Sequence, residues 1–284
     1  MSFSSKFVEN NLSVEELKQN FTEMDRHYPI AIYQMGKVGS ATILHSLQEL
    51  NLPNPVFHVH LLSAQNLEIS TASFISRNLP LTLQLKHGKI LRDYLDSREN
   101  ASLKVITAVR EPIGQLISSV FQNLKVDFTQ FIDADENLKV KEIKDYIYNL
   151  ICQYDVRDPG KNCNWFDREF KQALDIDVYQ YQFDPKLAYT AFSKNNLDIL
   201  VLRLESSQNW SEILTNFLNL EKPLKIIKTN TSDDKNYGDS YKDILSSLKF
   251  PVSVLDRIYS SKYCQHFYTK EEIEQFVNKW KMKT

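Results

Sequence analysis

Three groups of residues in this 284-residue chain have the types and the spacing to do chemistry. The first is Tyr33-Gln34-Met35-Gly36-Lys37-Val38-Gly39-Ser40-Ala41-Thr42, where two of only 6 glycines flank a lysine. An average composition would supply about 20 glycines in a chain of this length. Glycine serves positive φ and close backbone approach, so its placement here carries information. A glycine turn that runs into a helix points backbone N–H groups forward. With the helix dipole, those groups form a site for phosphate. Lys37 adds a mobile positive charge, and Ser40 and Thr42 add hydroxyl donors. The competing reading is a plain turn with a surface lysine.

The second group is Phe57-His58-Val59-His60-Leu61. A strand's period of two puts both imidazoles on one face and the apolar residues on the other. Histidine supplies a base near neutral pH for moving a hydroxyl proton. A metal pair would need further ligands, and no partner cluster stands out in the sequence. For His58 a structural role is an equal alternative. The third group begins at Arg110, which ends the apolar run Val105–Val109 and precedes Glu111-Pro112, with Ser118 and Ser119 further on. A guanidinium at the carboxyl end of a strand faces the crevice where open α/β sheets bind ligands. It can hold a phosphate through two bonds at once. A salt bridge to Glu111 is the competing reading.

The elements that must position these residues follow from apolar periodicity. Ile30–Met35, Val56–Leu61, Leu103–Val109 and Leu197–Leu204 read as strands. Helical spacing predicts helices over Ser40–Leu50, Leu67–Leu79, Leu83–Leu95 and from Pro112 to about Leu124, with Pro112 in a first turn. Further helices are expected near Lys139–Tyr154, Trp165–Leu174, Trp210–Leu218, Tyr237–Leu248 and Glu271–Trp280, the last opened by a Thr269/Glu272 capping box. No strand signal is found in residues 126–175. Strands alternating with helices argue for a parallel sheet with helices on its faces. One α/β domain over 1–284, with a helical insertion around 126–175, is the simplest organisation.

Composition narrows the function classes. Hydrophobic residues at 42% and charged residues at 25% fit a globular domain with a sizeable core. A formal net charge of -2 lacks the global basic footprint of a nucleic-acid binder. Three cysteines, Cys152, Cys163 and Cys264, have no metal-type spacing and point to a reducing, cytoplasmic setting. No signal peptide or membrane span is expected. No glycine precedes Gly36, and Val38 follows the lysine, so the Walker A pattern is not met.

The Gly36 segment instead resembles the 5′-phosphosulfate loop of sulfotransferases, in which a strand runs into Lys-x-Gly-(Ser/Thr)-x-(Thr/Ser) and a helix. Lys37, Gly39, Ser40 and Thr42 match; Ala41 replaces a frequent hydroxyl residue, and Ile43 stands where cytosolic members often carry tryptophan. The family's second motif is an arginine ending a strand with a serine eight positions later. Arg110 and Ser118 have that spacing. The His-x-His strand is similar to that of the glycosaminoglycan 2-O-sulfotransferases, which favours His60 over His58 as the base. The tail Phe276-Val277-Asn278-Lys279-Trp280 resembles the C-terminal signature of bacterial capsular polysaccharide synthesis proteins of the NKWYS type.

The resemblance implies a three-layer α/β/α sandwich with a mainly parallel central sheet, the P-loop NTPase-like sulfotransferase fold. It implies transfer of a sulfuryl group from 3′-phosphoadenylyl sulfate (PAPS) to a hydroxyl, on a carbohydrate or polysaccharide, without a metal. Lys37 and His60 would be catalytic. Lys37, Val38, Gly39, Ser40, Ala41, Thr42, Arg110 and Ser118 would hold the nucleotide. Alternatives are an ATP-dependent phosphotransferase and a non-catalytic protein of capsular polysaccharide assembly. Three further segments are weaker. Asn164 is a candidate helix cap, Arg203-Leu204-Glu205 ends a strand, and Lys228-Thr229-Asn230 through Lys235 and Tyr237 is polar and basic.

Overall fold

Leu103–Val109 is buried at every position, the pattern of a strand covered on both faces. In the computed structural model, which describes residues 21–22, 24–124, 126–133, 135, 137–156, 162–227 and 238–282, it is the middle strand of five. In chain order the elements are β1 (Ile30–Tyr33), α1 (Ser40–Gln48), β2 (Val56–Val59), α2 (Ala64–Ser76), α3 (Leu83–Asp96), β3 (Leu103–Val109), α4 (Pro112–Gln122) and α5 (Val140–Cys152). A π-helical turn, Phe166–Phe170, continues as α6 (Lys171–Leu174). Then come β4 (Tyr189–Lys194), β5 (Leu197–Arg203), α7 (Trp210–Leu218), α8 (Gly238–Ser247), α9 (Val252–Tyr259), α10 (Lys262–Phe267) and α11 (Lys270–Trp280).

The sheet order is β2-β1-β3-β5-β4. β1 pairs with β2 and with β3 in parallel, and β3 pairs with β5 in parallel. β4 is antiparallel to β5 and is absent from the sequence reading. Its hairpin closes on Asn195 and Asn196, both left-handed at φ 52° and 60°, as a two-residue type I′ turn requires. Pairing at Ala31↔Phe57 and Ile32↔His58 sorts side chains by face. Phe57 meets the His87 ring of α3, and Tyr33 stacks on Phe170. On the other face, Val56 and His58 line a small cavity with Leu44 and Leu47 of α1. Helices therefore cover both faces of a mainly parallel sheet, the expected α/β class of a three-layer sandwich.

Residues 1–109 with 166–229 form one compact unit, which holds the whole sheet; residues 110–165 with 230–284 form a second. The second unit is helical, and its core joins aromatic rings to aliphatic side chains such as Ile117, Ile147 and Ile258. Phe121 packs edge-on against Tyr241, and Tyr148 stacks on Phe250. The tail closes this core: Trp280 is fully buried, Phe276 stacks on Tyr259, and the Phe250 N–H donates to the Trp280 carbonyl. The Thr269/Glu272 capping box forms as read from the sequence. Among the described residues no helix is long and apolar enough to cross a membrane.

Candidate functional site

In the first unit the site is built where β1 and β2 end. After Tyr33 the chain passes through a loop in which Lys37 is left-handed at φ 68° and Gly39 at φ 94°, with Val38 between them not left-handed. Alternation of this kind turns successive N–H groups toward one concavity, the nest geometry that binds anions. Gly39 is the N-cap of α1, and no side chain caps that helix. Its first-turn amides, with the Ser40 and Thr42 hydroxyls, thus remain for a ligand to meet. Val38 is fully buried, so it offers backbone only. Lys37, Ser40, Ala41 and Thr42 are half-buried.

The two glycines differ. At Gly39 an added Cβ would lie 2.7 Å from Trp210 Cη2 and 2.9 Å from Leu204 Cδ1, so both φ and space demand glycine. At Gly36 an added Cβ meets nothing within 4 Å, and φ is not positive. The backbone requirement that the glycine pair suggests thus holds for Gly39 and not for Gly36. The helix that follows is braced from elsewhere in the unit: Ser46 Oγ donates to the Thr42 carbonyl and accepts the Ile227 N–H.

The two histidines share a face, as strand period demands, with ring centroids 5.0 Å apart. Their environments separate them. His60 Nδ1 lies 2.8 Å from the Gln34 carbonyl. A carbonyl only accepts, so Nδ1 carries the proton and Nε2 holds the ring's lone pair. Burial lowers the His60 pKa, and the Gln34 bond partly offsets that. His58 is pushed down to about 3, first by burial and then by His60, His87 and His45. It stays neutral across the physiological range and is a poor proton acceptor. Its Nε2 is buried without a hydrogen-bond partner.

Two residues that the sequence reading passed over complete this end of the sheet. Gln34 is fully buried, and neither atom of its side-chain amide has a hydrogen-bond partner. Glu169, also fully buried, accepts the Tyr33 hydroxyl at 2.6 Å and several donors of the 62–66 segment. Neither has a local sequence signal, because their partners come from other strands and loops.

Arg110 and Ser118 lie in the second unit. The Tyr263 hydroxyl brackets the Arg110 backbone, accepting its N–H and donating to its carbonyl, both at 3.0 Å. Glu111 is buried and caps α4, accepting the Ile113 and Gly114 N–H groups at 2.8 and 2.7 Å. The Tyr259 hydroxyl donates to the same carboxylate at 2.6 Å. The Arg110 guanidinium lies over Gly114, with Nη2 3.7 Å from where a Cβ would stand. Glu111 Oε2 lies 3.0 Å from that point, which explains a glycine inside a helix. Ser118 is one turn further along α4, on the face of Gly114.

The weaker sequence candidates resolve as structure. The Asn164 side chain donates to the Val156 carbonyl at 2.6 Å. Arg203 is buried and donates to the Pro185 carbonyl and Ser206 Oγ, holding the end of β5. Lys228-Thr229-Asn230 through Lys235 and Tyr237 lies outside the described residues.

No curated protein and no solved structure matches the chain. Residues 137–269, a little under half of the chain, match the family described as "NKWYS: Putative capsular polysaccharide synthesis protein". The matched stretch contains Glu169, Arg203, Tyr259 and Tyr263, and none of Lys37–Thr42, His60, Arg110 or Ser118. In its second half, then, the chain is similar to proteins of capsular polysaccharide synthesis.

Proposed function

We propose that the protein is a sulfotransferase that moves the sulfuryl group of PAPS to a hydroxyl of a carbohydrate in capsule-type polysaccharide synthesis. The observation that carries this reading is that the chain leaving β1 supplies both the Gln34 carbonyl that meets His60 Nδ1 and, a few residues on, the Gly39 N-cap of α1, a helix start with no side-chain cap. The acceptor O–H proton goes to His60 Nε2 as the acceptor oxygen bonds to sulfur. The bond from sulfur to the phosphate oxygen breaks, and adenosine 3′,5′-bisphosphate leaves. Lys37 and the amides of Gly39, Ser40, Ala41 and Thr42 stabilise charge on the sulfuryl and 5′-phosphate oxygens. Arg110 and Ser118 take the 3′-phosphate, the group that distinguishes this nucleotide from ATP.

The family match supports the polysaccharide setting, and a non-catalytic assembly role fits that match equally. A transfer assay decides between them. With radiolabelled PAPS and a glycan panel, the wild-type protein yields sulfated product, and Lys37→Ala and His60→Ala each lower the yield at least 100-fold. Nucleotide binding with no product from any acceptor, or product unaffected by both substitutions, would overturn the catalytic reading.

A further inference from the structure

Glu169 sits on a π-helical turn, a backbone irregularity found disproportionately at functional sites. It is fully buried, yet a carboxylate leaves water only when donors replace it. Five donors do so. Oε1 accepts the Tyr33 hydroxyl at 2.6 Å, the Ser63 N–H at 2.8 Å and the Leu62 N–H. Oε2 accepts Ser63 Oγ at 2.9 Å and the Asn66 amide. Each donor lies more than 100 residues away in sequence, and all come from two places. Tyr33 is the last residue of β1, next to Gln34. Leu62 and Ser63 follow His60 by two and three residues.

His60 is thus held from both sides of one carboxylate. On the β1 side, the Gln34 carbonyl accepts the His60 Nδ1–H, and the Gln34 N–H donates to the Val59 carbonyl at 3.2 Å. On the β2 side, the chain leaving His60 is fixed by the Leu62 and Ser63 bonds. Leu61, between His60 and Leu62, has its carbonyl pressed against Gly88 of α3, where any Cβ would collide with it. The result is one position and one tautomer for the imidazole.

We propose that Glu169 is a positioning residue for His60. It joins the ends of β1 and β2 so that the Nδ1–H bond to Gln34 is kept and Nε2 is held as the base. The inference rests on the sulfotransferase reading for its kinetic consequence, but not for its structural one. It also gives the family-matched stretch, which contains Glu169, a physical link to Tyr33 and the 62–66 segment outside it.

The test is Glu169→Gln in the full-length protein, with Ser63→Ala and Tyr33→Phe as milder breaks of the same clamp. Nitrogen-15 NMR of the imidazoles reads the tautomer and titration of His60 without any activity. The expected result is loss of the single Nδ1–H tautomer in Glu169→Gln and a graded loss in the milder pair. In the transfer assay kcat falls about 100-fold, as for small misplacements of a catalytic group. KM for PAPS stays within about threefold, and the acid limb of the kcat–pH profile moves. An unchanged His60 tautomer and pH profile in folded variants would overturn the proposal, leaving Glu169 a purely structural residue. If wild-type protein transfers no sulfate while the tautomer responds as expected, the sulfotransferase reading fails and the positioning stands. If Glu169→Gln does not fold, the Ser63→Ala and Tyr33→Phe spectra decide alone.

Discussion

Replacing Gly39 by alanine tests the loop most sharply, because the structure sets two independent costs at that position. The residue would have to hold φ 94°, a conformation that costs about 1–3 kcal/mol for a residue with a side chain. Its methyl would also stand 2.7 Å from Trp210 Cη2 and 2.9 Å from Leu204 Cδ1. Trp210 cannot easily yield: it is 1% exposed, and its Nε1 donates to the Arg203 carbonyl at 3.2 Å. Overpacking of this kind costs about 1–3 kcal/mol. The expected loss is about 2–6 kcal/mol, a large share of the 5–15 kcal/mol that typically separates folded from unfolded protein. Urea unfolding measures it, with Gly36→Ala as the internal control. At Gly36 a Cβ meets nothing and φ is ordinary, so alanine should stay within about 0.5 kcal/mol of wild type. Equal midpoints for Gly39→Ala and wild type, or equal damage at both glycines, would refute the loop geometry.

Two further outcomes follow from the buried ionisable groups. An unfolded histidine titrates near 6.5 and folded His58 near 3, so between those values only the unfolded chain takes up this proton. Stability is full above about pH 6.5 and falls as pH drops toward 3, by about 2 kcal/mol on reaching pH 5. His60 adds to the slope in the same direction. His58→Gln should flatten the pH 5–6.5 stability curve, and an unchanged slope would show that His58 is not the titrating group. In the second unit, Glu111→Ala removes the cap on Ile113 and Gly114 and strands the Tyr259 hydroxyl. A lost cap and an orphaned buried donor together cost about 2–4 kcal/mol. Denaturant melts should show the loss, and Tyr259→Phe should recover part of it in the double variant.

Much of the scaffold was readable from local pattern. The Leu103–Val109 strand and the Trp210–Leu218 helix have the predicted limits, because an unbroken apolar run and a clean helical stripe need no distant information. β4 escaped because Tyr189–Lys194 is half-exposed or exposed at every position and carries no buried stripe. Its best signal was the Asn195-Asn196 pair, which suits left-handed turn positions. The shared face of His58 and His60 followed from strand period and the preference for His60 from the family resemblance, whereas the contact that sets the His60 tautomer, the Gln34 carbonyl, is a backbone group with no sequence signature. Glu169 read as one charge on a helical stretch, and its role depends wholly on donors brought in by the fold. Gly36 looked equivalent to Gly39 because spacing shows where glycines stand, not which backbone angles require them.

On the proposed reading the chain recognises a nucleotide by its 3′-phosphate as well as its 5′ end. Calorimetric titration with adenosine 3′,5′-bisphosphate, in the presence of a metal chelator, tests it most directly. The expected result is binding that needs no magnesium and that Arg110→Ala and Lys37→Ala each weaken at least tenfold, with ATP and adenosine 5′-phosphate bound less well. Preference for magnesium-ATP, or affinity for the bisphosphate indifferent to Arg110, would contradict it.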